Sequence, residues 1–128
     1  MKKSKIIIEP ATMEYAKEFY GDQYTKSFKG YAALLDGKVV GIGGISFEGK
    51  ARALFSDMKK EMRPFKRDIV KGVRILGEMV KNARYPIFAV ADNKEPASEK
   101  LLTKLGFVPN GDVVPTGKIF WRFPQWLS

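Results

Sequence analysis

Residues 51–92 constrain the fold more than any other part of the chain. Two short apolar runs, "ARALFSD" and "PIFAVAD", flank a stretch in which Phe65, Ile69, Val73, Leu76 and Val80 recur at helical spacing. Arg67, Lys71, Arg74, Glu78 and Lys81 fall on the opposite side of that helix. The spacing predicts strands over 51–57 and 86–92 joined by a helix over 64–83, with Pro64 in its first turn. A crossover helix between neighbouring strands makes the pair parallel and right-handed. "PIFAVAD" is continuously apolar and reads as a strand covered on both faces. Gly72 and Gly77 each cost about 1 kcal/mol in a helix relative to Ala. Their presence predicts a helix backbone lying close against the sheet.

The flanking segments extend this unit. "KIIIE" (5–9) reads as a strand ended by Pro10, and Thr12 is a suitable N-cap for the helix "MEYAKEFY", closed by Gly21. Residues 22–29 show no period and read as loop or a weak turn of helix. Asp36-Gly37 is a hairpin signal and Glu48-Gly49 a second turn, giving a meander over roughly 30–35, 38–47 and 51–57. "GIGG" (41–44) is followed by a strand pattern rather than a helix, so it is not a dinucleotide fingerprint. It reads as a kinked or bulged strand that makes room for a ligand or a helix. Pro96 opens a further helix with Leu101, Leu102 and Leu105 on its apolar side. Gly106 falls at the left-handed position after its end, and Phe107 can fold back on its last turn. "FVPNG" and "GKIFWRF" close the chain as strands. The order β-α-β-β-β-α-β-α-β-β, without repeats or linkers, predicts one α/β domain over 1–128 with a mixed central sheet.

Composition removes several chemistries. The chain has no Cys and no His, which excludes disulfides, thiol nucleophiles, ordinary zinc sites and His-based triads. No run approaches the ~20 apolar residues of a membrane span, and "MKKSKIIIEP" is too short for a signal segment. A cytoplasmic location without membrane contact is expected. Residues 59–84 hold nine cations and three anions and supply +6 of the net +9. Such a focused field suits a polyanion or a phosphorylated ligand, and equally a solvated helix face. Arg63, Lys66 and Arg67 in "EMRPFKRD" crowd a helix start, where the dipole is already positive. Phe120, Trp121, Phe123 and Trp126 read as packing of a last strand rather than as stacking platforms for bases. Trp126 and Leu127, if exposed, would mark a homodimer contact.

This order, with "SEKLLTKLGF" and "DGKVVGIGG", resembles the Gcn5-related N-acetyltransferase (GNAT) superfamily over nearly the whole chain. Leu101, Lys104, Gly106 and Phe107 match a Leu-Tyr-x-Lys-x-Gly-Phe pattern common around the family's fourth helix. The resemblance implies that strands 4 and 5 splay, that acetyl-CoA lies in the gap, and that a primary amine is the acceptor. It implies acyl-CoA contacts from Phe55, Ser56, Met58, Arg63, Lys66, Arg67 and Asp68. Arg63 aligns with the start of the family's pyrophosphate loop, Arg/Gln-x-x-Gly-x-Gly/Ala. Lys66 and Asp68 stand where its small residues belong, so Lys66 and Arg67 would grip phosphates by side chain. The family's general-acid Tyr corresponds to Leu102, which cannot protonate a thiolate. Glu48, Asp57, Ser98 and Tyr31 are the replacement candidates, and no spacing singles one out. The degenerate form is similar to small GNAT-like proteins of tailed phages. That similarity places the chain in a host cytoplasm or a virion. The alternative to an acyltransferase is therefore a catalytically inactive GNAT-like protein that binds nucleic acid or a protein partner through helix 64–83.

Overall fold

A computed structural model describes residues 4–124. The chain runs β1 (Ile6–Pro10), α1 (Met13–Tyr20), β2 (Phe28–Leu35), β3 (Lys38–Glu48), β4 (Ala51–Met58), a 3-10 turn (Lys60–Met62), α2 (Lys66–Asn82), β5 (Ile87–Asp92), α3 (Ala97–Lys104), β6 (Val108–Val114) and β7 (Gly117–Arg122). One seven-stranded sheet has the order β1-β2-β3-β4-β5-β7-β6. All neighbours are antiparallel except β4 and β5, which are parallel. The predicted element order and the parallel pair are both present.

The β4–β5 pairing is reduced to a single register pair, Ala53↔Phe88. Beyond it the strands diverge toward their C-terminal ends, as the expected splay requires. The first hairpin follows from Asp36-Gly37, both at positive φ. The strand predicted from residue 30 starts two residues earlier, at Phe28.

The two faces of the sheet are covered by different helices. Ile45, Val80, Ile87, Ala89, Leu102, Phe107 and Phe120 form a core between the sheet and α2 and α3. Ala32, Leu34 and Val39 pack with Tyr15 and Phe19 of α1 on the opposite face. β5 contributes Ile87, Ala89 and Ala91 to the first core, whereas Val90 is exposed on the other face. The expectation that β5 is covered on both faces is thus corrected: α1 packs on β2 and β3, extends to β4 through Tyr20, and leaves Val90 of β5 uncovered.

The glycines assign the helix approach differently from the expectation. Gly72 has open space where a Cβ would be, so nothing requires a glycine there. Gly77 faces Leu105 of α3, at 3.3 Å from a built Cβ, rather than the sheet. The close approach is made by the strand. A Cβ at Gly41 would lie 2.7 Å from Met62 Sδ, and one at Gly43 would lie 3.1 Å from Leu76 Cδ1. "GIGG" is therefore the place where the 3-10 turn and α2 settle on β3. α2 itself begins at Lys66, two residues later than Pro64 suggests, with Phe65 at the N-cap and no side-chain cap. Gly106, at φ 91°, ends α3, and the Phe107 N–H turns back to the Leu102 carbonyl at 2.9 Å.

Arg122 at the end of β7 ties the helices together. Its Nη1 donates to the Val80 carbonyl (2.7 Å) in the last turn of α2, and its Nε donates to the Leu105 carbonyl (3.2 Å) at the end of α3. One cation thus satisfies both helix C-termini, where carbonyls lack partners and the dipole favours positive charge. Of the C-terminal aromatics, Phe120 is buried, Trp121 half-buried and Phe123 exposed, while Trp126 and Leu127 lie outside the described residues. Replacing Arg122 by Met is expected to cost about 1–3 kcal/mol, because two charge-assisted bonds are lost. Arg122→Lys should fall between, since an ammonium cannot serve both carbonyls with the same fork. Urea unfolding checks this. A loss below about 0.5 kcal/mol for the Met variant would contradict it.

Candidate functional site

The divergence of β4 and β5 opens a cleft of about 90 Å³. Its lining is Leu54, Phe55 and Ser56 of β4, Ala89 and Val90 of β5, Val73 and Leu76 of α2, and Ser98, Leu101, Leu102 and Leu105 of α3. α2 follows β4 and α3 follows β5 in the chain, so both helices start at the splayed, C-terminal ends of the strands. Ligands of open α/β sheets bind at this edge. Past Ala53↔Phe88, the facing edges of β4 and β5 make no ladder to each other. Their backbone amides and carbonyls there are free to pair with an extended ligand.

Phe55 and Ser56, expected as ligand contacts, line the cleft, and Ser98 joins them from the first turn of α3. Met58 is exposed at the end of β4, opposite Gly41. Lys66 and Arg67 are exposed in the first turn of α2, Asp68 beside them is half-buried, and Arg63 is exposed before the helix starts. Lys66 precedes Val73 by seven residues, which is about 10 Å along a helix axis. These cations therefore stand beyond the cleft's apolar wall rather than in it. Lys66 and Arg67 also join Val70, Lys71 and Arg74 around an open depression on α2. All nine cations of 59–84 are exposed, and none pairs with a carboxylate among the described residues.

Two of the four acid–base candidates lie elsewhere. Glu48 is opposite Ala51, at the far end of the β3–β4 hairpin from the cleft mouth. It pairs with Lys26 at 2.8 Å, and that hydrogen bond holds its carboxyl below the usual range. A paired, weakly basic carboxylate is poorly placed to take a proton at the cleft. Tyr31 is on β2, two strands from β4, and does not line the cleft. Leu102 is packed in the core among Ile87, Val80 and Phe107 while one side faces the cleft.

Asp57 stands one residue beyond Ser56 on the opposite face of the sheet. It receives a hydrogen bond from the Tyr20 hydroxyl at the C-terminal end of α1. Burial, then this bond, pushes the Tyr20 phenol well above its ordinary value, so it remains neutral. Tyr20 continues into a row of aromatic rings. It stacks on Tyr24 (centroids 5.0 Å apart, planes at 15°), Tyr24 meets Phe28 edge-on (5.9 Å), and Phe28 meets Phe55 edge-on (5.7 Å). Sequence reasoning missed Tyr20, Tyr24 and Phe28, because the segment that brings them together has no period. The only local signal is the density of aromatics between residues 19 and 28.

No protein-family model matches the chain, and no curated protein matches it in sequence. Solved structures match it along nearly its whole length. A protein of Acinetobacter baylyi classed as an acetyltransferase superposes with a TM-score of 0.62 at 13% identity, over 95% of this chain and 94% of that one. A Staphylococcus aureus acetyltransferase of the GNAT family gives 0.55 at 14% identity, over 92% and 98%. An aminoglycoside acetyltransferase in complex with coenzyme A gives 0.56 at 17% identity, over 94% and 96%. The chain has the GNAT acyl-CoA N-acyltransferase fold. No helix among the described residues is long and apolar enough to cross a membrane.

The raised Tyr20 pKa has a defined consequence for stability. The folded protein keeps this proton where the unfolded chain releases it, so stability is fully present below the unfolded value of 10.0 and falls as pH rises above it. Tyr20→Phe removes this component. Its urea midpoint should fall less than that of the wild type between about pH 9 and 11. Parallel curves for the two proteins would refute the burial of this phenol.

Proposed function

We propose that this protein is an acyl-CoA-dependent N-acyltransferase with a primary amine as acceptor and acetyl-CoA as donor. One observation carries the reading: the parallel pair β4–β5 is held at Ala53↔Phe88 alone and opens into an apolar cleft between two helix starts. A narrow cleft with free backbone edges suits the extended, amide-bearing arm of coenzyme A. Two exposed cations in the first turn of α2 suit its phosphates, through side chains and the helix N-terminus together.

The division of labour follows from the geometry. Leu54–Ser56 and Ala89–Val90 hold the arm, and Leu101, Leu102 and Leu105 exclude water around it. Asp57, next to Ser56, takes the proton of an arriving ammonium, directly or through water, and the neutral phenol of Tyr20 holds the carboxylate in place. The amine nitrogen attacks the thioester carbonyl carbon, an amide C–N bond forms, and the C–S bond breaks. As the tetrahedral adduct collapses, the nitrogen releases its second proton to water and the thiolate collects one from water, because Leu102 has none to give. The absence of a placed acid is expected to slow turnover by about 10²–10⁴-fold relative to a complete pair.

A second reading has its own support. Lys66, Arg67, Lys71 and Arg74 surround one depression and have no carboxylate partners among the described residues. A non-catalytic protein could use this helix face to bind nucleic acid.

Calorimetry separates the readings. Acetyl-CoA is expected to bind, Val90→Trp is expected to abolish binding by filling the cleft without loss of cooperative unfolding, and Lys66→Ala/Arg67→Ala should weaken acetyl-CoA more than pantetheine. Unaltered acetyl-CoA binding in Val90→Trp would move the ligand out of the cleft. If acetyl-CoA does not bind at all, and the double variant instead lowers the salt slope of duplex DNA binding by about one phosphate contact per residue, the second reading holds.

A further inference from the structure

The row Tyr20–Tyr24–Phe28–Phe55 is not used by the fold in the way aromatic rings usually are. None of the four belongs to the three hydrophobic core clusters, and all four stay half-exposed. They are nonetheless ordered in a continuous contact series. Phe55 pairs across the sheet with Gly44 and Asp57 with Ile42, so Phe55 and Asp57 share the α1 face. The loop that carries Tyr24 is fixed by the Tyr24 N–H to the Gly21 carbonyl (3.1 Å) and by Gln23 Nε2 to the Tyr20 carbonyl (2.9 Å). The wall is thus pre-formed, and a flat ligand would not have to order it.

Charge gives the wall a direction. At the turn end of the β3–β4 hairpin Glu48 is neutralised by Lys26. At the other Asp57 is exposed, bonded to a neutral phenol, and without a cation partner among the described residues. A cation is therefore drawn to the Asp57 end, next to Ser56 and the cleft, and an apolar body is drawn along the rings. The faces of Tyr and Phe add attraction for a cation, and Lys59 Nζ already lies 5.3 Å from the neighbouring Phe19 ring.

We propose that this wall recognises the acceptor, and that the acceptor class is a primary ammonium joined by a short linker to an aromatic ring, an arylalkylamine. The inference rests on the acyltransferase reading for what happens to the amine, but the amine site itself is testable without coenzyme A. The ammonium docks at Asp57, the ring stacks against Tyr24 and Phe28, and the nitrogen faces the mouth of the cleft.

The test is ligand-observed NMR titration of 2-phenylethylamine and butylamine, in the absence of any acyl-CoA. The wild type should prefer 2-phenylethylamine by roughly tenfold, the worth of one or two aromatic contacts. Tyr24→Leu and Phe28→Leu, which keep bulk but not the ring, should bring the two amines to within about twofold of one another. Asp57→Asn should weaken both amines together. Two Leu variants guard against one that fails to fold. Equal binding of the two amines by the wild type, or an unchanged ratio in a folded Leu variant, overturns the proposal. If the preference holds while acetyl-CoA fails to bind in the calorimeter, the amine site stands and the acyltransferase reading alone falls.

Discussion

The interaction on which the rest of the structure depends is the single parallel pairing of β4 and β5 at Ala53↔Phe88. A full ladder there would close the sheet and leave no cleft. No ladder at all would split the sheet into a β1–β4 half and a β5–β7–β6 half. One pair holds the halves together and lets them fan apart. The gap then needs other support, and the helices provide it. α2 sits on Gly43 through Leu76, α3 reaches the same space with Leu102 and Leu105, and Gly77 lets the two helices approach. Arg122 locks their far ends to β7. The cleft is open at the strand ends because the helices are tied at the other end.

Much of this was legible. The helical stripe from Phe65 to Val80 and the two apolar runs beside it specify a strand–helix–strand unit, since side-chain period responds to burial on one side. Asp36-Gly37 and Gly106 were legible because only a few residues tolerate their backbone angles. The start of α2 was misjudged by two residues, since Pro64 suits a first turn and also the turn just before one. Gly72 misled more seriously. A glycine in a helix is a cost without a visible benefit, and close packing is the usual reason. Here the close packing belongs to Gly41 and Gly43 of the strand.

The candidate site was legible on one face of the sheet only. Phe55, Ser56 and Ser98 lie at the cleft, where the strand–helix order alone brings them. Glu48 and Asp57 looked alike as carboxylates near strand ends. They differ in a contact 22 residues away for one and 37 for the other. No local pattern encodes that Lys26 quenches Glu48 or that Tyr20 holds Asp57. The row of aromatics was hidden for the same reason: its members come from α1, a loop, β2 and β4, and only the sheet register aligns them.

The sheet also separates charge. The unpaired cations of α2 lie on one face, and Asp57 with its aromatic approach lies on the other. In a protein of net +9, a cationic acceptor is repelled at long range. Screening shortens that repulsion to about 8 Å at physiological ionic strength. A carboxylate at contact distance, beside rings that attract cations, then decides the local preference. Under the proposed function, a phosphate-bearing donor would meet the opposite arrangement, drawn from a distance to α2 and guided to the cleft from its own side. Two ligands of opposite charge can thus occupy adjoining space without competing for one another's approach, and they would meet only where β4 and β5 part. This arrangement asks little of any single residue, which is consistent with a chain that lacks histidine, cysteine and a tyrosine at position 102.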